Sequence, residues 1–132
     1  MKREIKFRAW DKVHECYLYD IQGAYDTLSG CVKYENGENA VYDEECFAGF
    51  LDNDRYVVEQ YTGLKDANGK KIYEGDIVKV TSQFWGMLGD IYEVKFNQGT
   101  FCVKYVLLLE ISPSISVIGN VHDNPELLEG KR

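Results

Sequence analysis

Few of the reactive side chains fall in arrangements that chemistry could use. His14 and Cys16 stand two apart, so on a strand they would share a face and could form half of a metal site. A zinc site needs four close ligands, usually supplied as short-spaced pairs, and the sequence contains no Cys-x-x-Cys. Cys16, Cys31, Cys46 and Cys102 are better read as ordinary buried or half-buried thiols. His122 and Asp123 are adjacent, which points their side chains apart outside a turn. Ser112, Ser114 and Ser116 flank Pro113 with no nucleophile-elbow pattern. Glu74 and Asp76 could serve as paired carboxylates, but Glu-Gly-Asp ahead of a β-rich run reads as a turn. Asp66-Ala67-Asn68-Gly69 has the look of a calcium loop until Lys70, Lys71 and Ile72 fill the later positions. No catalytic set, metal or cofactor is expected, and the chain is not expected to be an enzyme.

Binding is better supported by residue type. Phe84-Trp85-Gly86-Met87-Leu88-Gly89 places two large aromatics, Met and Leu between glycines, and an exposed Phe84 or Trp85 would make an apolar anchor for a partner. The alternative is that one of them folds back to close the end of a small barrel. A second candidate surface is acidic. The 132 residues carry 22 Asp and Glu against 15 Lys and Arg, a net charge of −7. Glu35, Glu38, Asp43, Glu44, Glu45, Asp52 and Asp54 all fall within residues 34–54, where there is no Lys or Arg. Without those seven, the acids match the bases. The stretch could imitate a nucleic-acid backbone and occupy a DNA-binding protein, with Glu44, Glu45, Asp52 and Asp54 in contact, or it could simply be a solvated acidic loop. Direct binding of nucleic acid is disfavoured by the overall charge. A weak single-stranded mode, with tyrosines stacking on bases beside Lys6, Arg8, Lys70, Lys71 and Lys79, is the remaining alternative.

The elements that must position these residues are strands. Glu4 to Trp10 alternates apolar and charged residues, which puts Ile5, Phe7 and Ala9 on one face and Lys6 and Arg8 on a wet one. Asp11-Lys12 opens a turn into a return strand at Cys16–Tyr19. Residues 20–54 are broken by glycines; Cys31–Tyr34 is the best strand there, and a short helix at 45–51 is weakened by Gly49. Strands are expected at 56–61, 77–80, 91–96, 100–105 and 116–121, with Asn68-Gly69 as a tight turn. Asp123-Asn124-Pro125-Glu126 starts a short C-terminal helix. Tyr105–Leu109 is apolar on both faces of a supposed strand, so its outer face needs cover from the N-terminal segment or from a second subunit.

Three segments together resemble the YopX family of phage and prophage proteins. They are Tyr61-Thr62-Gly63-Leu64-Lys65-Asp66-Ala67-Asn68-Gly69-Lys70-Lys71-Ile72-Tyr73-Glu74-Gly75-Asp76-Ile77-Val78, Ile5–Asp11 near the start, and Val117–Leu128 near the end. Residues 12–55 match no part of that pattern. The resemblance implies a β-barrel of SH3-like type in the C-terminal half, and it implies no catalytic residue, cofactor or substrate.

The expected architecture is therefore mainly β. It has a small antiparallel SH3-like barrel in the C-terminal half, an N-terminal β-hairpin region and a short C-terminal helix. Residues 1–132 form one domain, with an acidic, partly irregular part at 1–60 and the barrel at 61–132. No apolar run approaches a membrane span and no secretory signal is evident, so the expected location is cytoplasmic. The expected partner is a protein, either a phage or host protein or a second copy in a homo-oligomer.

Overall fold

The computed structural model describes residues 5–24, 32–42, 44, 46–104 and 106–129. The chain divides into two compact units, Met1–Gln60 and Tyr61–Arg132. It is mainly β, built of antiparallel sheets with one curled half-barrel and a short C-terminal helix.

In the first unit the alternation at the N-terminus produces β1 (Phe7–Asp11), which pairs antiparallel with β2 (Cys16–Tyr19) on one side. On its other side lies the first half of β3 (Tyr56–Lys65). Ala9 and Leu18, opposite each other in register, bury one sheet face. That face joins Ile21, Ala24, Val32, Tyr56 and Phe50 in a core cluster. Phe50 comes from the short helix α1 (Phe47–Leu51), and its ring centre lies 4.8 Å from that of Tyr56, the planes tilted by 58°. Gly49, a poor helix former, lies within α1 directly under the Glu44 carboxylate, which a Cβ there would push aside. Around Val32, the expected strand is reduced to isolated bridges of Lys33 with Tyr19 and Asn39; Cys31 lies outside the described residues.

The opposite face of β1 corrects the sequence reading. Arg8 does not face water: it is 3% exposed and lies directly opposite Glu59 of β3 and Tyr19 of β2. Strand alternation locates a face correctly but is silent on whether that face is wet.

In the second unit, β3 continues through Lys65 and pairs with β4 (Lys71–Tyr73). β5 (Asp76–Val80) is the centre of a sheet ordered β10-β5-β6, with β6 at Ile91–Glu93 and β10 at Ile115–Asn120. β7 (Lys95–Asn97), β8 (Thr100–Val103) and β9 (Val106–Leu107) form the third sheet. Only Val94 separates β6 from β7. Its N–H donates to Asp76 O and its carbonyl accepts from Gly75 N, while Lys95 pairs with Cys102. Successive peptide groups of an extended chain point to opposite sides, so this segment serves β5 on one side and β8 on the other. That hand-over curls the two sheets around a core of Ile72, Val78, Val80, Val94, Val103, Leu108, Ile111 and Ile115. Gln98 and Gly99, with φ of 53° and 84°, make the two-residue turn between β7 and β8 that the twist of a hairpin favours.

The apolar run at 105–109 is not one strand. β9 ends at Leu107, and Leu108 opens a helical turn, α2 (Leu108–Ile111), with Leu108 and Ile111 buried. Leucine favours helix more than strand, and one turn places its third neighbour on the same buried side. Leu107 and Leu109 remain exposed. At the C-terminal end the Asn124 side chain folds back over Gly119 and accepts from Asn120 N. A side chain at 119 would occupy that space. The final helix, α3, spans Glu126–Glu129.

Candidate binding surface

The loop between β5 and β6 is held by its own backbone. Met87 N donates to Phe84 O, Asp90 N to Met87 O, and Gly89 N to Val80 O, with Gly86 and Gly89 at positive φ. Within this frame Phe84 and Trp85 part company. Phe84 and Met87 pack against the core of the unit. Trp85 has a left-handed backbone, φ 52°, and is 86% exposed; Leu88 beside it is exposed too. A non-glycine residue at positive φ is uncommon, and here it coincides with an indole that stands outward from the loop. Phe84 is thus turned to the core and Trp85 to the surface. Leu107, Leu109 and Phe96 add exposed apolar groups in the same unit. The exposure of Leu109 follows from the helical turn at α2, which a strand reading of 105–109 could not reveal.

The acidic stretch is less uniform than its composition. Glu35, Glu38, Asp52 and Asp54 are exposed. Glu44 is half-buried, accepts a 2.7 Å hydrogen bond from Asn53 Nδ2 and covers Gly49, so it helps to anchor α1. Asp43 and Glu45 lie outside the described residues. Among the basic residues considered for a nucleic-acid patch, Arg8 is held by Glu59, and Lys6 lies 3.6 Å from Asp20.

His14 and Cys16 line a cavity of about 300 Å³ with Asp11, Leu18, Tyr34 and Val41. Arg55, which belongs to no motif, decides the chemistry of Asp11 there. Arg55 grips Asp11 with two hydrogen bonds, Nε to Oδ1 at 2.8 Å and Nη2 to Oδ2 at 2.9 Å. His14 Nδ1 lies 2.9 Å from Asp11 Oδ2 and 2.9 Å from Arg55 Nη2. A guanidinium only donates, so a bare His14 Nδ1 accepts from Arg55, whereas a proton on Nδ1 is directed at Asp11. A positive side chain thus stands where a cation bound through Asp11 would sit. Among the described residues no three His, Cys, Asp or Glu side chains are grouped to hold a metal.

Burial opposes the charge on Asp11, but hydrogen bonds from Arg55, His14 and the backbone N–H groups of Val13 and His14 outweigh it and hold its carboxyl well below the usual aspartate range. A depressed folded pKa gives stability that is complete above the unfolded value of about 3.9 and is lost as pH falls from there toward the folded value. Asp11→Asn is therefore expected to destabilise the protein by on the order of 2 kcal/mol at neutral pH, with the gap to wild type closing below about pH 4. Urea titrations of both proteins at neutral and acidic pH check this; a gap that stays constant with pH contradicts it.

Glu74 and Asp76 shape a turn. Asp76 Oδ2 accepts from Tyr73 N, and Gly75 between them has φ 88°. Asp66 likewise organises its turn, and Asn120 Oδ1 accepts from the N–H groups of His122 and Asp123. Cys46 and Cys102 are free thiols. No helix among the described residues is long and apolar enough to cross a membrane.

Comparison with known proteins follows the same outline. The profile of a family described as YopX protein matches residues 6–129. The SPbeta prophage-derived uncharacterized protein YopX of Bacillus subtilis (strain 168) is 42% identical over 72 residues, covering 47% of this chain and 53% of that protein. The chain thus spans about half the length of this curated relative. The crystal structure of protein EF1440 from Enterococcus faecalis aligns with a TM-score of 0.65 at 28% identity, covering 96% of this chain and 99% of that one.

Proposed function

The chain belongs to the YopX family, and from that premise we propose that it is a prophage-derived accessory protein of the bacterial cytoplasm that works by binding rather than by catalysis. Its role is that of an assembly module, in which the loop of an SH3-like half-barrel engages a second copy of the chain. The observation that carries this reading is Trp85, 86% exposed on an ordered loop. A tryptophan left in water forgoes the burial of a large apolar surface, and tryptophans at the centre of interfaces are among their strongest contributors. Exposed Leu88, Leu107 and Leu109 extend the apolar surface available to a partner.

The test is a dilution series by sedimentation, read alongside fluorescence. The only other tryptophan, Trp10, is buried, so a change in emission with concentration reports Trp85. Association is expected to shift Trp85 emission to the blue, and Trp85→Ser is expected to weaken self-association by at least about tenfold without loss of fold. A wild-type monomer at every concentration overturns the reading.

The exposed carboxylates of Glu35, Glu38, Asp52 and Asp54 favour a second reading, an acidic mimic that occupies a host DNA-binding protein. Its test is neutralisation of Asp52 and Asp54 to Asn. Glu44 is unsuited to that test, because changing it would disturb the contact with Asn53. Unchanged capture of the DNA-binding protein by the neutralised variant ends this reading.

A further inference from the structure

A second feature of the barrel unit has no part in self-association through Trp85. A cleft of about 600 Å³ is lined by β6, by Lys95 and Asn97 of β7, by Cys102 and Lys104, and by Leu128 of α3. Its size is that of a ligand site rather than of a packing defect.

β6 is the outermost strand of its sheet. Val94 and Asp90, at either end of it, direct their backbone bonds to β5, through Val94 N to Asp76 O and Val80 N to Asp90 O. By alternation the peptide groups of Ile91 and Glu93 point away from β5, toward the cleft. β8 runs beside the following segment, as Lys95 pairs with Cys102, but at Lys104 the chain turns away with φ 54°. The cleft therefore lies where a further strand would continue the sheet.

The side chains at its two ends differ. Lys95 and Lys104 stand where β8 departs, and the Lys104 ammonium lies 5.8 Å from the centre of the Tyr92 ring. Ile91 and Leu128 supply apolar wall. Of the two acids in the lining, Asp90 accepts a 2.8 Å hydrogen bond from the Tyr92 hydroxyl. Burial, together with the hydrogen bond and charge of Asp90, pushes the Tyr92 phenol up to about 12, so it remains a donor to that carboxylate. Glu93 lies two residues before Lys95, one same-side spacing along an extended chain.

We infer that this cleft binds the C-terminus of an extended peptide, which adds as a short strand along β6 with its terminal carboxylate between Lys95 and Lys104. Backbone bonds to the Ile91 and Glu93 peptide groups supply affinity, and the two lysines select a free carboxylate.

The probe is an acetylated pentapeptide, Ala-Val-Lys-Leu-Val, prepared as the free acid and as the C-terminal amide, and titrated into the 15N-labelled full chain. The free acid is expected to shift the amides of residues 91–95 saturably, and the amide form to bind at least about tenfold more weakly. The Lys95→Gln, Lys104→Gln double variant is expected to lose a similar factor toward the free acid. Both lysines are exposed, so the variant should retain the wild-type amide spectrum elsewhere, which is recorded alongside. Equal binding of acid and amide, saturable shifts confined to other residues, or no saturable shift at millimolar peptide each overturns the proposal. None of these outcomes bears on association through Trp85, which the dilution series tests separately.

Discussion

Glu59→Ala is expected to destabilise the first unit by about 3–5 kcal/mol, because it strands a buried cation. Arg8 and Glu59 are 3% and 5% exposed, and their Nε to Oε1 distance is 2.9 Å. The same carboxylate oxygen accepts from the Tyr17 hydroxyl at 2.9 Å. The guanidinium lies 4.0 Å from the centre of the Tyr17 ring and donates from Nη1 to the Tyr19 hydroxyl at 3.3 Å. Without Glu59, Arg8 keeps its charge, loses its counter-ion and cannot reach water unless β1 moves away from its neighbours. The loss is large beside the 5–15 kcal/mol that typically separates folded from unfolded domains. The pair need not be strongly stabilising in itself, since its desolvation offsets much of the attraction between the charges. Arg8→Met combined with Glu59→Leu is accordingly expected to cost far less than Glu59→Ala alone. Urea unfolding followed by circular dichroism, with amide exchange at β1 to locate the change, measures both. A Glu59→Ala protein within about 1 kcal/mol of wild type would show that Arg8 finds water or another partner.

The same residues show what the sequence discloses and what it withholds. Alternation at 4–10 locates β1 and assigns Arg8 to the face opposite Ala9, as observed. It places that face in water because the carboxylate that meets Arg8, Glu59, is contributed by β3, a strand whose pairing with β1 is non-local. Strand existence is a local property; wetness is not. Residues 105–109 fail for a different reason. Leucine runs suit strand and helix alike, and the end of β9 at Leu107 is set by Leu108 and Ile111 turning into the core. At Phe84-Trp85 composition identifies the loop but not the division of labour, which depends on the positive φ of Trp85. In the acidic stretch, Glu44 and Asp52 look alike in sequence. Only packing shows that one anchors a helix while the other is solvated. Arg55 gave no signal at all, since its partner Asp11 belongs to a strand at the other end of the unit's sequence.

The second large effect is expected at Asp66. Its Oδ1 accepts from the N–H groups of Asn68 and Lys70, both at 2.9 Å, which closes the turn at Gly69, φ 84°. Its Oδ2 accepts from Val117 N at 2.8 Å, on the side of β10 away from β5. At 6% exposure the carboxylate is nearly out of reach of water. Asp66→Ala removes three charge-assisted hydrogen bonds at once and is expected to cost about 3 kcal/mol or more. Asp66→Asn distinguishes the parts of this effect. An amide can keep its oxygen on Asn68 and Lys70, but its NH₂ then faces the Val117 N–H, donor against donor. The turn is retained while one of its three ties to β10 is lost; Ala67 N still donates to Ile115 O and Asn68 Nδ2 to Ser116 Oγ. β10 is an outer strand, and an outer strand whose N–H groups are uncovered is a template for pairing with another chain. Both variants are therefore expected to aggregate on mild heating, as measured by light scattering, but only Asp66→Ala should also lose exchange protection at the Asn68 and Lys70 amides. If Asp66→Asn stays as soluble as wild type, Asp66 serves the turn alone and does not guard the edge. If it aggregates with the turn intact, one carboxylate both shapes the 66–70 turn and blocks association along β10.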